Sequence, residues 1–198
     1  MITDPQRQNI GKMSAASYLI LDDNSADTRY EYLGGQVYAL AGGTSDHDYI
    51  AGNMYIKLRE QLGNRTPCRA YTSDKRVKLA EQYYVYPDGV VSCDIVDHGQ
   101  SITILSPHLV VEVLSPSTER ADHTKKLPAY QACSSIQEIV FIRQDMQFVE
   151  VYRRSKIGTR WDVQYYHAGE SIALESLDIA MTVASLYEGL NIPKEEGD

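Results

Sequence analysis

The feature that most constrains this chain is a glutamate in its most hydrophobic stretch, His108–Leu114. Apolar side chains occupy both alternating positions of the stretch: Leu109, Val111 and Val113 on one side, and Val110 and Leu114 on the other. This pattern predicts a central strand that is covered on both faces. A carboxylate there loses its hydration unless it is protonated or paired, so Glu112 indicates a metal ion, a cation or a shared proton nearby.

A second carboxylate, Asp88, lies just before another apolar run, Val90-Val91. One polar turn separates this run from the Glu112 strand, and sequential strands are usually neighbours in a sheet. Two carboxylates on neighbouring strands predict a site for Mg²⁺ or Mn²⁺, which prefer oxygen ligands, and the peptide oxygen of Val113 could add a ligand. A metal held this way activates a water molecule and stabilises charge on a phosphate.

Such a site also needs a cation from the protein. The position two residues after Glu112 is Leu114, so the cation is expected from the next segment, which contains Lys125 and Lys126. If that segment folds back as a helix, one of these lysines reaches the carboxylates. There it would orient the attacking water or neutralise charge on the phosphate.

Bulk composition indicates one globular domain. The chain has 198 residues, 43% of them hydrophobic, and no apolar run is long enough for a membrane span. Three scattered cysteines and the lack of a signal-peptide pattern favour a reducing cytoplasm over a disulfide framework or a zinc site. The net charge of −8 disfavours strong non-specific nucleic-acid binding, although a local basic stripe can coexist with it.

Local patterns predict an α/β or α+β domain with a mixed sheet over residues 13–190. A flexible N-terminal arm is expected over residues 1–12 and a C-terminal tail over 191–198. Gly34-Gly35 between two tyrosine-rich runs predicts a β-hairpin. Apolar residues at helical spacing predict a helix near 46–62 capped by Ser45, and Pro128 is expected to kink or restart a later helix.

One segment has several positive charges and no acid, and it is predicted to lie in a hairpin turn. Its cations are Arg153, Arg154, Lys156 and Arg160. A solvated loop is the ordinary interpretation of such a run. The functional alternative is a contact with the phosphate backbone of DNA.

Three of these motifs together resemble the Uma2 family, a group of bacterial proteins classed with restriction endonucleases. They are Pro87-Asp88, the run from Glu112 to Thr118, and Asp122-x-x-x-Lys126-x-x-x-Tyr130. The Tyr30–Tyr38 hairpin and the following His47 also resemble that family. The resemblance extends from about residue 17 to 190.

The resemblance implies a restriction-endonuclease-like fold: a mixed β-sheet flanked by helices, with additional β-hairpins. It implies that Asp88 and Glu112 bind the metal and that Glu31 assists. Leu114 stands where such nucleases usually carry a lysine, which implies that Lys126 replaces it. The expected activity is Mg²⁺-dependent (or Mn²⁺-dependent) hydrolysis of DNA, and a homodimer is expected by analogy.

The residues leave other interpretations open. Pro-Asp-Gly is also an ordinary turn, and a buried strand acid can pair with Arg or Lys without any catalytic role. His47 is more often a polar residue of a first helical turn than a ligand or base. At the level of function, the alternatives are a non-cleaving DNA-binding or regulatory module that keeps the fold, and a hydrolase of small phosphorylated substrates.

Overall fold

The structure, a computed structural model, describes residues 7–64, 67–99, 102–116, 118–157 and 160–194. The fourteen strands in these residues are β1 Arg7–Lys12, β2 Tyr30–Leu33, β3 Gln36–Leu40, β4 Arg69–Thr72, β5 Arg76–Ala80, β6 Tyr83–Val85, β7 Gly89–Ser92, β8 Thr103–Ile104, β9 Pro107–Leu114, β10 Glu138–Arg143, β11 Phe148–Arg154, β12 Trp161–His167, β13 Ser171–Leu174 and β14 Ile179–Thr182. The α-helices are α1 Ala15–Asp23, α2 Ser45–Leu62, α3 Glu119–Ala121, α4 Leu127–Ala132 and α5 Val183–Leu186. A 3₁₀ turn covers Ile95–Asp97, and a π-helical segment, Asp122–Lys126, joins α3 to α4.

The central sheet has the strand order β12-β11-β10-β9-β7-β4. Strands β9 and β10 run parallel, and their neighbours are antiparallel. A second sheet has the order β1-β3-β2-β6-β5-β8, and β13 pairs with β14 separately. The predicted mixed sheet and the predicted adjacency of the Asp88 and Glu112 segments are therefore confirmed, since Gly89 in β7 pairs with Val111 in β9.

Both faces of β9 are buried, as its sequence pattern predicts. Leu109, Val111 and Val113 pack in one apolar cluster with α2, α5 and the β13–β14 hairpin. Val110 and Leu114 pack in a second cluster with α4 and strands of the second sheet. Glu112 lies on this second side, so its carboxylate points between the two sheets towards the helical segment after β9.

Helix α2 follows from its sequence spacing. Its four residues at helical spacing are all buried: Ile50, Met54, Leu58 and Leu62. The N-cap is Thr44 rather than the predicted Ser45, because the Thr44 side chain accepts the backbone N–H of His47 at 3.2 Å. The predicted hairpin is also present, and Gly34 and Gly35 both adopt the positive φ that its tight turn requires.

The expected loose ends of the chain are partly wrong. Residues 7–12 of the predicted arm form β1, which pairs with β3 in the second sheet. Residues 192–194 of the predicted tail run beside Gln147, whose backbone N–H donates to the carbonyl of Pro193 at 2.9 Å. Residues 1–6 and 195–198 lie outside the described residues.

The expectation against disulfides is also wrong for one pair. Cys68 and Cys93 are bonded, and Cys133 is free and buried. The bond follows from strand pairing, because Arg69 in β4 lies opposite Ser92 in β7 and places the flanking cysteines side by side. Within the described residues, no helix has both the length and the apolar character needed to cross a membrane.

Candidate active site

Glu112 is paired with two buried donors from the helical segment that follows its strand. The ammonium of Lys126 donates to Glu112 Oε1 at 2.7 Å, and the hydroxyl of Tyr130 donates to the same oxygen. Glu112 is 4% exposed and Lys126 is 2% exposed, so neither charge is screened by bulk water. The segment after β9 therefore supplies the cation that the sequence predicts.

Lys126 also contacts acids on two other elements, β2 and its own helical segment. Its ammonium lies 2.9 Å from Glu31 Oε1 in β2 and 3.9 Å from Asp122 Oδ1 one helical turn earlier. Glu31 Oε1 also accepts the backbone N–H of Tyr86 at 3.0 Å. Lys125, the other candidate, is exposed, and its ammonium lies 4.8 Å from the ring centre of Tyr38. The structure thus selects Lys126 over Lys125.

The π-helical segment explains how these side chains converge. Asp122, Lys126 and Tyr130 are spaced four residues apart, and a helix brings such positions to one side. Pro128 has no backbone N–H and would crowd the carbonyl four residues earlier in a regular α-helix. The wider turn of the π-helix relieves this crowding. In that turn the backbone N–H of Leu127 donates to the carbonyl of Asp122. The predicted restart of the helix at Pro128 is confirmed.

Asp88 is held by two donors at the start of β7. Its Oδ2 accepts the backbone N–H of Val113 at 2.7 Å and lies 3.3 Å from Nε2 of His47 in α2. The His47 and Asp88 side chains are 13% and 17% exposed. A helix and two strands therefore fix the position of this carboxylate.

The protonation preferences of Glu112, Asp88 and His47 differ. Burial raises the pKa of Glu112 to about 8; Lys126 opposes the shift, whereas Asp122, Asp88 and Glu31 add to it. Burial acts in the same direction on Asp88, but the hydrogen bond and charge of His47 outweigh it and hold the Asp88 pKa below its usual value. Burial would lower the pKa of His47, but Asp88 raises it to about 9, so His47 is cationic at neutral pH.

These groups surround one cavity of about 690 Å³ between the two sheets. Among the described residues, its ionisable walls are mostly acidic. The acids are Asp22, Asp27, Glu31, Asp48, Asp88, Glu112 and Asp122, and the cations are Arg29, His47 and Lys126. The cavity therefore has an excess of negative charge.

The cavity fits a hard divalent cation. Val113 and His47 contact Asp88 at Oδ2, and Lys126 and Tyr130 contact Glu112 at Oε1. Among the described residues, the second oxygen of each carboxylate therefore has no hydrogen-bond donor. Those residues contain no group of three His, Cys, Asp or Glu side chains arranged as metal ligands. Mg²⁺ commonly binds through one or two carboxylates and completes its shell with water and phosphate oxygens, so two carboxylates are sufficient.

Comparison with known proteins identifies the family. The family model of Uma2, described as "Putative restriction endonuclease", matches residues 15–184. The chain belongs to the Uma2 family. It is 30% identical over 180 residues to "Uncharacterized protein slr1290" of Synechocystis sp. (strain ATCC 27184 / PCC 6803 / Kazusa), covering 90% of this chain and 93% of that protein. It is 29% identical over 167 residues to "Uncharacterized protein sll1609" of the same organism, covering 82% and 92% respectively.

The fold is shared with a protein of known crystal structure. That protein, described as "a putative nuclease belonging to DUF820" from Anabaena variabilis ATCC 29413, matches with a TM-score of 0.73 and 17% identity. The match covers 88% of this chain and 97% of the other. The predicted α+β fold, a mixed β-sheet flanked by helices with additional β-hairpins, is thereby confirmed for this Uma2 chain.

Two residues of the predicted DNA-contacting run are engaged within the protein, and the DNA contact itself stays a prediction. Arg153 and Arg154 lie in β11, and their guanidinium groups hold the protein together. Arg153 Nε donates to Glu138 Oε1 at 2.9 Å, and Arg154 donates to the carbonyls of Ile136 and Cys133 at 2.7 and 2.6 Å while stacking on Trp161.

The remaining two cations of that run are exposed, and Arg160 pairs with Asp162 at 2.8 Å. Strand register also separates the run from the cavity. Arg153 lies opposite Glu138, and Glu138 lies opposite Leu109 near the start of β9, whereas Glu112 and Val113 are towards its end. The run is therefore at the opposite end of the central sheet from Asp88.

Three residues of the Uma2 site were given no role from the sequence. Asp122 and Tyr130 were part of the family motif, and their spacing from Lys126 was the signal that could have found them. His47 was expected to be an ordinary first-turn residue, but it contacts Asp88. No local signal predicts that contact, because it depends on how α2 packs beside β7.

Proposed function

We propose that this Uma2 chain is an endonuclease that depends on a divalent cation and hydrolyses DNA phosphodiester bonds in the cavity. The observation that carries the proposal is the arrangement of Asp88 and Glu112. Asp88 immediately precedes β7, Glu112 lies in the neighbouring strand β9, and each has an oxygen available to a ligand beside a buried lysine. This combination of two acids and a lysine suits phosphodiester hydrolysis.

Asp88 and Glu112 would hold Mg²⁺ or Mn²⁺, with the peptide oxygen of Val113 as a further ligand. When bound there, the cation would withdraw charge from the phosphate and make water a better nucleophile. The hydrogen bond from the Val113 N–H and the contact with His47 hold Asp88 in place, and the hydroxyl of Tyr130 fixes the orientation of Glu112.

Lys126 is the group that would act on the substrate. Its side-chain nitrogen lies 2.9 Å from Glu31, 2.7 Å from Glu112 and 3.9 Å from Asp122. It would donate to a phosphate oxygen or to the attacking water and so stabilise the negative charge that develops. Glu31 would then act through Lys126 as a positioning residue, because its Oε1 contacts both that ammonium and the Tyr86 N–H.

His47 is proposed as a positioning residue for Asp88 rather than a general base. A base must be neutral, and the carboxylate of Asp88 raises the His47 pKa to about 9. In its cationic form His47 would stabilise the ionised form of Asp88, which is the form that binds a metal.

The proposal is tested by cleavage of supercoiled plasmid and of single-stranded DNA with Mg²⁺ or Mn²⁺. Asp88→Asn and Glu112→Gln are expected to abolish cutting, and chelation by EDTA is expected to do the same. Glu150→Gln is the matched control, because Glu150 is also a buried strand acid but lies outside the cavity lining. Metal-dependent cutting that survives both cavity substitutions would contradict the proposal.

A second candidate is a DNA-binding or regulatory module that does not cleave. The observation that favours it is the ion pairing of Lys126, which contacts Glu31 and Glu112 at 2.9 and 2.7 Å, so that acids of the protein already balance its charge. Retained DNA binding without cutting by the unsubstituted protein would support this candidate. The homodimer stays a prediction by analogy with restriction nucleases, and sedimentation of the purified protein would test it.

A further inference from the structure

The proposed reacting groups lie at the bottom of the cavity rather than on an open face. Glu31, Lys126 and Glu112 are 0%, 2% and 4% exposed. A phosphodiester can therefore meet them only if it enters the cavity. The volume of about 690 Å³ is within the range of pockets that enclose small organic ligands, about 300–1,000 Å³.

Two chain segments restrict the approach. Residues 25–29, after α1, and residues 40–43, at the end of β3 and in the loop before α2, both line the cavity. Base pairing keeps both strands of a DNA duplex at the width of the helix, so a duplex reaches buried groups less readily than a single strand, whose nucleotides can be inserted one at a time. A nucleotide that is not paired can enter, as in other enzymes that take a base out of the stack.

Charge around the cavity offers little neutralisation to an extended phosphate backbone, paired or unpaired. Asp27 and Asp48 on its lining are exposed, and Arg29, the exposed cation among the described lining residues, contacts Asp74. A duplex carries one negative charge per about 1.7 Å of its axis, and proteins that bind it by its backbone neutralise that charge with Lys and Arg. The run at Arg153–Arg160 does not supply this charge, since it lies at the other end of the central sheet.

One wall of the cavity suits an unpaired base. Tyr86 is half-buried, and its hydroxyl donates to Asp22 Oδ2 at 2.6 Å, which holds the ring in place. The Arg29 guanidinium carbon lies 5.8 Å from the centre of that ring. Aromatic rings and guanidinium groups are the surfaces on which proteins stack the bases of single strands.

We infer that the cavity takes a single strand of DNA, with an unpaired nucleotide inserted beside Tyr86, and that duplex DNA is not its substrate. This inference rests on the proposed nuclease function and specifies its substrate class. It also assigns Tyr86 as the residue that favours unpaired bases. The acids of the cavity would repel the phosphates of either form of DNA, and a cation held by Asp88 and Glu112 would neutralise the charge of the one phosphate that enters.

The inference is tested by binding, so that it does not depend on cleavage. A fluorescent single-stranded oligonucleotide and its duplex are titrated with the protein in Ca²⁺, and affinity is read from anisotropy. We expect the single strand to bind at least about 10-fold more tightly, since stacking one base contributes roughly 5- to 150-fold. Equal or tighter binding of the duplex would overturn the inference, and so would failure to bind either DNA.

Substitutions at Tyr86 locate the effect. Tyr86→Ala is expected to weaken single-strand binding about 10-fold, whereas Tyr86→Phe, which keeps the ring, is expected to bind within about twofold of the unsubstituted protein. Tyr38→Ala is the matched control, because Tyr38 does not line this cavity. Thermal unfolding establishes that each variant is folded. Unchanged binding by folded Tyr86→Ala would overturn the role of Tyr86.

A cleavage arm with Mg²⁺ or Mn²⁺ separates the two proposals. Cutting of the duplex at a rate equal to that of the single strand would overturn the inference and leave the nuclease proposal intact. Preferential single-strand binding without any cutting would support the inference about the cavity and count against nuclease activity.

Discussion

Two buried glutamates on adjacent parallel strands have opposite surroundings. Glu138 in β10 is 1% exposed, and both of its oxygens are satisfied by the protein. Oε1 accepts from Arg153 and the Glu175 N–H at 2.9 and 3.0 Å, and Oε2 accepts from the N–H and hydroxyl of Ser176 at 3.0 and 2.6 Å. Glu112 in β9 accepts its donors at Oε1, shares Lys126 with two other acids, and borders a cavity.

The difference separates a structural charge from a candidate functional one. Glu138 and Arg153 balance each other's charge, Arg153 reaches the exposed Glu175 only at 3.7 Å, and the Glu138 carboxylate is complete in hydrogen bonds, so it has no capacity for a ligand. The Glu112 cluster has more acids than cations and an available oxygen on each of two carboxylates. Such an excess is unfavourable for the protein alone and becomes favourable when a cation binds.

The largest expected effect that separates the two clusters is on cleavage. Lys126→Met should lower the rate by at least about 10³-fold, because it removes the cation that would stabilise charge on the phosphate. Lys125→Met is the matched control and should leave the rate unchanged, since Lys125 is exposed and faces Tyr38. Equal loss in both variants, measured with the same plasmid, would contradict the role given to Lys126.

A second prediction concerns stability at the balanced cluster. Arg153→Met should reduce the free energy of unfolding by about 3–5 kcal/mol, because it leaves the buried Glu138 carboxylate without its counter-charge. Chemical denaturation with and without Mg²⁺ measures this. Mg²⁺ should recover stability in Lys126→Met but not in Arg153→Met. Recovery of both by the metal would remove the distinction between the clusters.

A third prediction uses the pH dependence of Glu112 in metal-free protein. Its folded-state pKa of about 8 lies above the usual carboxyl value near 4.5, so the folded state retains a proton that the unfolded state loses. The stability of the unsubstituted protein should therefore fall as pH rises from about 4.5 to about 8. The glutamine in Glu112→Gln does not titrate. The free energy of unfolding of this variant, relative to that of the unsubstituted protein, should therefore increase over that interval by on the order of 1–3 kcal/mol.

The measurement for Glu112→Gln is denaturation at several pH values in EDTA. Glu150→Gln provides the comparison, since Glu150 is a buried strand acid with its own donors, His123 and Tyr152. Parallel pH profiles for unsubstituted protein and Glu112→Gln would mean that burial does not raise the pKa of Glu112.

The smallest expected effect is at His123, which lies on the same π-helical segment as Lys126 but outside the cavity lining. Burial opposes its charge, but the Glu119 carbonyl and Glu150 outweigh this and raise the His123 pKa. The stabilisation that the charged His123 ring contributes is therefore fully present below its unfolded-state pKa near 6.5. It is lost as the pH rises through the folded-state pKa. His123→Gln should lose about 0.5–1 kcal/mol at pH 6 and less at pH 9.

Denaturation at those two pH values checks the His123 prediction. Metal affinity should be unchanged in His123→Gln, because the ring packs against Phe141 rather than bordering the cavity. A larger loss of stability at the higher pH would contradict the sign of the expected effect.

Local periodicity predicted much of the fold. The β9 strand, helix α2 and the hairpin at Gly34-Gly35 each follow from patterns within a few residues, and the adjacency of β7 and β9 follows from the short turn between them. The pairing of Glu112 with a lysine of the next segment was predictable because an apolar strand cannot hold an unpaired charge.

The remaining features depend on contacts between distant residues. His47 meets Asp88 through the packing of α2, and Cys68 meets Cys93 through the register of β4 with β7. The internal contacts of the basic run are of the same kind, because the sequence does not show that the guanidinium groups of Arg153 and Arg154 turn inward to Glu138 and to backbone carbonyls.

We expect the acid excess around Lys126 to form a divalent-cation site. Titration of Mn²⁺ or Mg²⁺ into metal-free protein in a calorimeter measures this binding. The binding should be saturable. Asp88→Asn and Glu112→Gln should each weaken it at least about 10-fold, and Glu150→Gln should leave it unchanged. Absence of saturable binding by the unsubstituted protein would contradict this expectation. So would cavity variants that bind the metal with the same affinity as the unsubstituted protein.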